Sequence, residues 1–258
     1  MPAALVCLDR VDKSFNNGVT ALQGVSLTLA AHEFITLLGP SGCGKSTVLR
    51  LVAGLDAPSA GRVESPAAGG AGAADTAYVF QEPTLMPWAS LFDNVWLPLR
   101  LAGMSRRDAA EPVRAVLHTV GLSDFESAYP GELSGGMKMR ASIARALVTR
   151  PRLLLMDEPF AALDEITRQK LNTDLLDWWR AQQLAALFVT HSVFEAVFLS
   201  QRVLVMGPRP GRIVAELAID APYPRSAEFR VSSAYAQACR ALSLALESAQ
   251  AGSDVASR

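Results

Sequence analysis

The chain has 258 residues, half of them apolar, with 24 lysines and arginines against 25 aspartates and glutamates. That length supports a large packed domain, and a net charge of -1 makes no electrostatic case for a nucleic-acid partner. Three scattered cysteines, Cys7, Cys43 and Cys239, form neither a disulfide framework nor a metal cluster and suit a reducing compartment.

Apolar alternation predicts strands over residues 5–11 and 19–29, with Asn16, Asn17 and Gly18 as the turn. Residues 34–38 predict a buried strand, and a helix follows from about Lys45. Residues 56–76, rich in alanine, glycine and proline, read as a mobile surface connection between short strands. A short strand over 77–80 ends at Gln81. From about 88 to 149 the pattern is helical, with Leu91, Val95, Leu99 and Leu101 near one face. A helix over 105–121 starts at Ser105 as N-cap, and another runs over 134–149. Strands at 153–156, 186–189 and 202–206 then alternate with helices at 163–182 and 192–200. This rhythm is that of a parallel α/β sheet split by a helical insertion. Residues 221–258 read as a short helical tail with a disordered end. No apolar run is long enough to span a membrane, and Asp9 and Arg10 come too early for a signal peptide. A cytoplasmic protein is expected, with any membrane role exercised through a partner.

Three motifs carry chemistry. Residues 39–47 read GPSGCGKST between a strand and a helix, which fits G-x-x-x-x-G-K-[ST]. Gly39, Ser41, Gly42, Cys43, Gly44, Lys45, Ser46 and Thr47 are the expected nucleotide-binding residues. Glycines let successive N–H groups point at phosphate oxygens, and the helix start adds positive potential. Lys45 would reach the β and γ phosphates and Ser46 would bind Mg²⁺. Residues 153–158 read LLLMDE, a buried strand with two carboxylates at the sheet end where ligands bind. Asp157 is expected to hold Mg²⁺ and Glu158 to orient and deprotonate water. Ser134, Gly135 and Gly136 open a helix and form a second anion site. One nucleotide does not easily occupy both sites of one chain, whereas a dimer sharing them resolves the excess. His191 and Gln81, each at a strand end, are candidates for γ-phosphate contact and for Mg²⁺ or water. Phe15 is a candidate for stacking on adenine.

These elements, in this order, resemble the ATP-binding-cassette (ABC) ATPases. GPSGCGKST is similar to their Walker A, Gln81 to the Q-loop, LSGGM at 133–137 to the signature, and LLLMDEP to Walker B. Ala161, Ala162, Leu163 and Asp164 resemble the D-loop, His191 the switch histidine, and Phe15 the adenine-stacking aromatic. Met137 stands where glutamine is usual and Ser192 where aspartate is common. The resemblance implies a P-loop (RecA-like) core with an N-terminal antiparallel β subdomain, residues 1–220, and a helical subdomain at about 88–149. It implies ATP and Mg²⁺, with Glu158, His191 and Gln81 catalytic. Ser134, Gly135, Gly136, Met137 and Asp164 would meet the nucleotide of the other chain in a homodimer. Stretches such as QEPTLMPW and GPRPGRI resemble the nitrate/sulfonate/taurine importer branch, which also serves pyrimidine thiamine precursors. That branch implies two permease subunits, a periplasmic or extracellular solute-binding protein, and a peripheral place on the cytoplasmic membrane face. An exporter or non-transport ABC ATPase is the alternative.

Overall fold

The structure, a computed structural model, describes residues 4–68 and 75–256. Residues 69–74, part of the connection expected to be mobile, lie outside the described residues. In chain order the strands are β1 (Ala4–Ser14), β2 (Thr20–Ala30), β3 (Phe34–Leu38), β4 (Ala60–Glu64), β5 (Thr76–Val79), β6 (Leu153–Asp157), β7 (Ala185–Thr190), β8 (Arg202–Met206) and β9 (Ile213–Ala218). The helices are α1 (Lys45–Val52), α2 (Leu91–Leu101), α3 (Ala110–Thr119), α4 (Gly135–Leu147), α5 (Glu165–Gln182), α6 (Val193–Leu199), α7 (Ala227–Arg230) and α8 (Ser233–Ala256).

Two sheets form. The smaller is antiparallel, in the order β2-β1-β4, and the larger runs β5-β6-β7-β3-β8-β9. Within the larger sheet all pairs are parallel except β8 with β9. This is the α/β P-loop architecture that the sequence predicts, with β9 added as an antiparallel edge.

A central parallel strand must be apolar on both faces. All five residues of β3 are buried, and they divide by alternation. Phe34 and Leu38 join Met156 and Phe188 in a core shared with α2 to α6 and α8. Ile35 and Leu37 join Val48 and Leu49 of α1 and the inward side of the small sheet. The parallel register, Phe34 opposite Ala186 and Met156 opposite Phe188, brings the C-terminal ends of β3, β6 and β7 to one edge. The chain segments after those strands gather there.

Three expectations need correction. In α2, Leu91, Val95 and Leu99 are buried but Leu101 is 80% exposed. Two residues advance a helix by about 200°, so Leu101 faces away from Leu99. The helix expected from Ser105 starts only at Ala110. The Ser105 hydroxyl instead accepts from Asp108 N at 3.2 Å, capping a separate turn. The tail is not short, because α8 runs 24 residues. Tyr235, Cys239 and Leu242 of α8 are buried against the main core. Arg225 anchors this segment, with its guanidinium buried and donating to the carbonyls of Val197, Phe198, Ser200, Ile219 and Ala221. Its Nη1 and Nη2 carry all five bonds while Nε is buried without a partner, and the five carbonyls offset much of the cost of burying the cation.

Candidate functional site

The loop after β3 turns sharply into α1. Gly44 has φ 104°, and a Cβ there would lie 2.7 Å from Leu22 Cδ2 and 3.0 Å from Ala21 O, so the position requires glycine. Lys45 opens α1 and is almost fully buried. Its ammonium donates to Gly39 O and Pro40 O, each at 2.9 Å, and lies 3.3 Å from Glu158 Oε1.

Asp157 ends β6. Ser46 Oγ donates to its Oδ1 at 2.9 Å and Tyr78 OH to its Oδ2 at 3.2 Å. Burial raises the Asp157 carboxyl above its usual range, with those two bonds and Lys45 opposing the rise. Among the described residues no three His, Cys, Asp or Glu side chains gather to hold a metal. The donors present are one carboxylate, the Ser46 hydroxyl and the nearby Gln81 amide. This hard-oxygen set fits Mg²⁺, which takes one or two protein ligands and completes its octahedron with phosphate oxygens and water.

Glu158 follows directly, with φ 44°. A left-handed conformation in a non-glycine residue costs about 1–3 kcal/mol and persists where neighbours enforce it. Here the Glu158 N–H is tied to Val189 O at 3.0 Å on the adjacent strand. Its Oε2 lies 2.8 Å from His191 Nδ1. One carboxylate thus touches both Lys45 and His191.

A cleft of 360 Å³ is lined by Phe15, Val19, Ala21, Ser41, Gly42, Gly44, Lys45, Ser46, Thr47, Gln81, Asp157, Glu158 and Arg209. Most of the expected site residues therefore come together, with His191 joined through Glu158. Gly39 and Cys43, both expected at the site, are not among the lining residues and pack into the interior behind the loop. A Cβ on Gly39 would lie 2.8 Å from Met206 O, and Cys43 is buried, which pushes its thiol pKa up. Ser134, Gly135, Gly136, Met137 and Asp164 are not among the lining residues. Ser134 caps α4, accepting from Met137 N at 3.3 Å, and a Cβ on Gly136 would lie 2.7 Å from Thr167 Cγ2 on α5. Asp164 caps α5, accepting from Thr167 N at 3.0 Å.

Besides the apolar lining residues Val19 and Ala21, two polar residues of the site escape sequence reasoning. Tyr78 supports Asp157, as described above. Arg209 donates from Nε and Nη2 to Gly42 O, at 3.3 and 3.2 Å. It comes from the turn between β8 and β9, far along the chain. Gly211 fastens that turn, donating to Ala21 O at 2.8 Å and accepting from Gln23 N at 3.0 Å. An arginine between prolines in a turn reads locally as solvent-facing, and the GPRPGRI stretch carries only the branch resemblance.

A family model described as ABC transporter matches residues 22–161. A nitrate import ATP-binding protein of Synechocystis is 45% identical over 217 residues, 83% of this chain and 81% of its own. A taurine import ATP-binding protein of Rhizobium johnstonii is 46% identical over 213 residues, covering 80% and 79%. Among solved structures, a dimeric ATP-binding cassette in a post-hydrolysis state with ADP and Pi matches with TM-score 0.72 at 30% identity. That match covers 84% of this chain and 100% of the other.

Proposed function

The chain belongs to the ABC transporter family, and from that premise we propose that it is the ATP-hydrolysing subunit of an importer for a small solute of nitrate, sulfonate, taurine or pyrimidine-precursor type. The observation that carries the reading is the contact of Glu158 with both Lys45 and His191 beside Asp157.

Backbone N–H groups of the 39–47 loop and the start of α1 cradle the triphosphate. Lys45 pairs with the β and γ phosphates, and Phe15 stacks on the base. Ser46, Asp157 and Gln81 would hold Mg²⁺, which neutralises phosphate charge when bound. Glu158 accepts a proton from water as the water oxygen attacks the γ phosphorus. The bond to the β–γ bridging oxygen breaks, leaving ADP and phosphate. His191 holds the Glu158 carboxylate in line and contacts the γ phosphate.

Ser134 to Met137 and Asp164 serve the partner's nucleotide in a homodimer. Their absence from the cleft lining of their own chain supports this assignment. Residues 1–220 make the ATPase unit, with a helical subdomain at about 88–149, and residues 221–258 a C-terminal extension. The apolar segment 85–92, on which Trp88 is 77% exposed, forms part of the dock for a permease subunit. Among the described residues no helix is long and apolar enough to cross a membrane. The subunit works peripherally on the cytoplasmic face, with two permease subunits and a solute-binding protein. An ATPase subunit touches no cargo, so the solute's identity rests with those partners.

The test is Glu158→Gln. Loss of a positioned base lowers turnover by about 10²- to 10⁴-fold. ATP binding should survive and ATP-bound dimers should accumulate on a sizing column. Near-normal hydrolysis by this variant would sink the base assignment.

A further inference from the structure

Glu195, in the first turn of α6, is a buried acid that the hydrolysis described above does not use. Its Oε2 accepts from the Thr190 hydroxyl, and the Thr190 oxygen in turn accepts from Ser192 N at 3.0 Å. Thr190 and Ser192 flank His191, so one hydrogen-bonded chain grips the backbone on both sides of the histidine. The other Glu195 oxygen, Oε1, has no hydrogen-bond partner although it is buried.

Arg168 faces that oxygen. Its Nε is also buried without a hydrogen-bond partner and lies 4.0 Å from Oε1. Two complementary buried groups thus stop just short of a hydrogen bond, a costly arrangement unless a small movement completes it. Arg168 belongs to the first turn of α5 and is bound to the loop that leads into that helix. Its Nη2 donates to Leu163 O at 2.7 Å and its N–H to Asp164 O at 2.9 Å. A displacement of residues 163–164 therefore carries the guanidinium with it.

We propose that Arg168 and Glu195 are positioning residues that link the 163–164 loop to the His191 loop. Closing the 4.0 Å gap fixes Glu195, and through Thr190 and Ser192 it sets His191 against Glu158. The inference rests on the proposed roles of His191 and Glu158. It adds a route by which whatever presses on the 163–164 loop adjusts their alignment. Burial raises the Glu195 pKa, with the Thr190 bond and Arg168 opposing, so closure of the pair favours the charged form.

The experiment follows the His191 ring directly. The chain has three histidines, His32, His118 and His191, so the imidazole nitrogen resonances are assigned by replacing the other two. Glu195→Gln keeps the shape and removes the charge, and Arg168→Gln removes the other partner. Each should shift the His191 Nδ1 resonance with Mg-ATP bound and leave those of His32 and His118 in place. A misplacement of about 1 Å costs up to about 10²-fold in rate, so kcat should fall by roughly tenfold to a hundredfold. KM for ATP should stay within about twofold, because the pair touches no substrate. In a His191→Ala background Glu195→Gln should cost nothing further. Unchanged His191 resonances and kcat in both variants would overturn the proposal, as would a loss expressed in KM alone. His191→Ala with full turnover would instead overturn the role of His191, and the resonances would still decide whether the pair positions its ring. If Glu195→Gln does not fold, Arg168→Gln alone decides between these outcomes.

Discussion

Glu158 is constrained at three points, its backbone by Val189 O and its two carboxylate oxygens by Lys45 and His191. Its own local backbone preference would not choose φ 44°, so the neighbouring strand does the choosing. Arg209 makes the same point about reach. Its guanidinium lines the cleft from the opposite end of the chain and is steadied by Gly42 O. A cation at this place in the cleft is expected to stabilise bound phosphates without entering the chemical step. Arg209→Ala should therefore raise KM for ATP by about tenfold, the cost of one charge-assisted hydrogen bond, with kcat nearly unchanged. Steady-state ATPase measurements decide it, and a fall in kcat at constant KM would remove Arg209 from the binding set. Motif spacing alone exposes Lys45, Ser46, Asp157 and Glu158 as candidates, because their chemistry is tied to a strand end and a helix start. Arg209 and Tyr78 have no such local tie.

At the scale of elements, the connection from β5 to α2 shows how a buried polar group shapes an exposed surface. Asn94 is fully buried within α2. Its amide accepts from Met86 N at 2.7 Å and donates to the carbonyls of Met86, Ala89 and Ser90. The loop is thereby tied down while Trp88 remains 77% exposed. Phe92, four residues on, is buried in the core. Both are large aromatics in one apolar segment, and tertiary packing separates them into one outward and one buried. Trp88→Ala should change stability by no more than about 0.5 kcal/mol, as for other surface sites, and leave the isolated subunit's ATPase intact. Assembly with the permease should weaken, measured by co-purification of the transporter. Destabilisation by several kcal/mol, which Phe92→Ala is expected to cause, would exclude a docking role for Trp88. The existence of α2, α4 and α5 is legible because their caps are local: Ser90, Ser134 and Asp164 each accept from the N–H three residues on. The start of α3 is not, because Ser105 satisfies a turn of its own.

At the scale of the whole molecule, the separation between the cleft and the Ser134–Met137 turn is the fact that matters. A homodimer that pairs each cleft with the other chain's turn makes a specific demand on mixed subunits. Lys45→Ala should weaken nucleotide binding itself, since it removes a buried cation from the phosphates. Ser134→Arg should bind ATP normally and fail to hydrolyse it, because its bulk and charge fall on the partner's site. Mixing the two inactive chains creates dimers with one site carrying both lesions and one carrying neither. ATPase activity should return in the mixture, and no recovery at any ratio would argue against shared sites. The C-terminal segment also belongs to this scale. Its apolar spacing suggests only a short helix, yet Arg225 and the buried face of α8 fasten it to α6 and the main core.

Local pattern in the sequence sets neither β9 nor the length of α8, but it does set the α/β class, the order of the elements up to β8, and the phosphate loop with its acidic strand. Each of these is written in local periodicity, in glycine placement or in the spacing of a few polar residues along one segment. Tertiary structure decided which of those residues meet. The parallel register of β3, β6 and β7 brings Lys45, Glu158 and His191 into contact across 146 positions of chain, from 45 to 191. The pairing of β8 with β3 and of β9 with β8 brings Arg209 to Gly42, and the packing of α5 against α6 leaves Arg168 facing Glu195 across a gap. Such contacts depend on strand order and helix packing, which no local pattern encodes, because the burial that drives them depends on apolar area and not on chain neighbourhood.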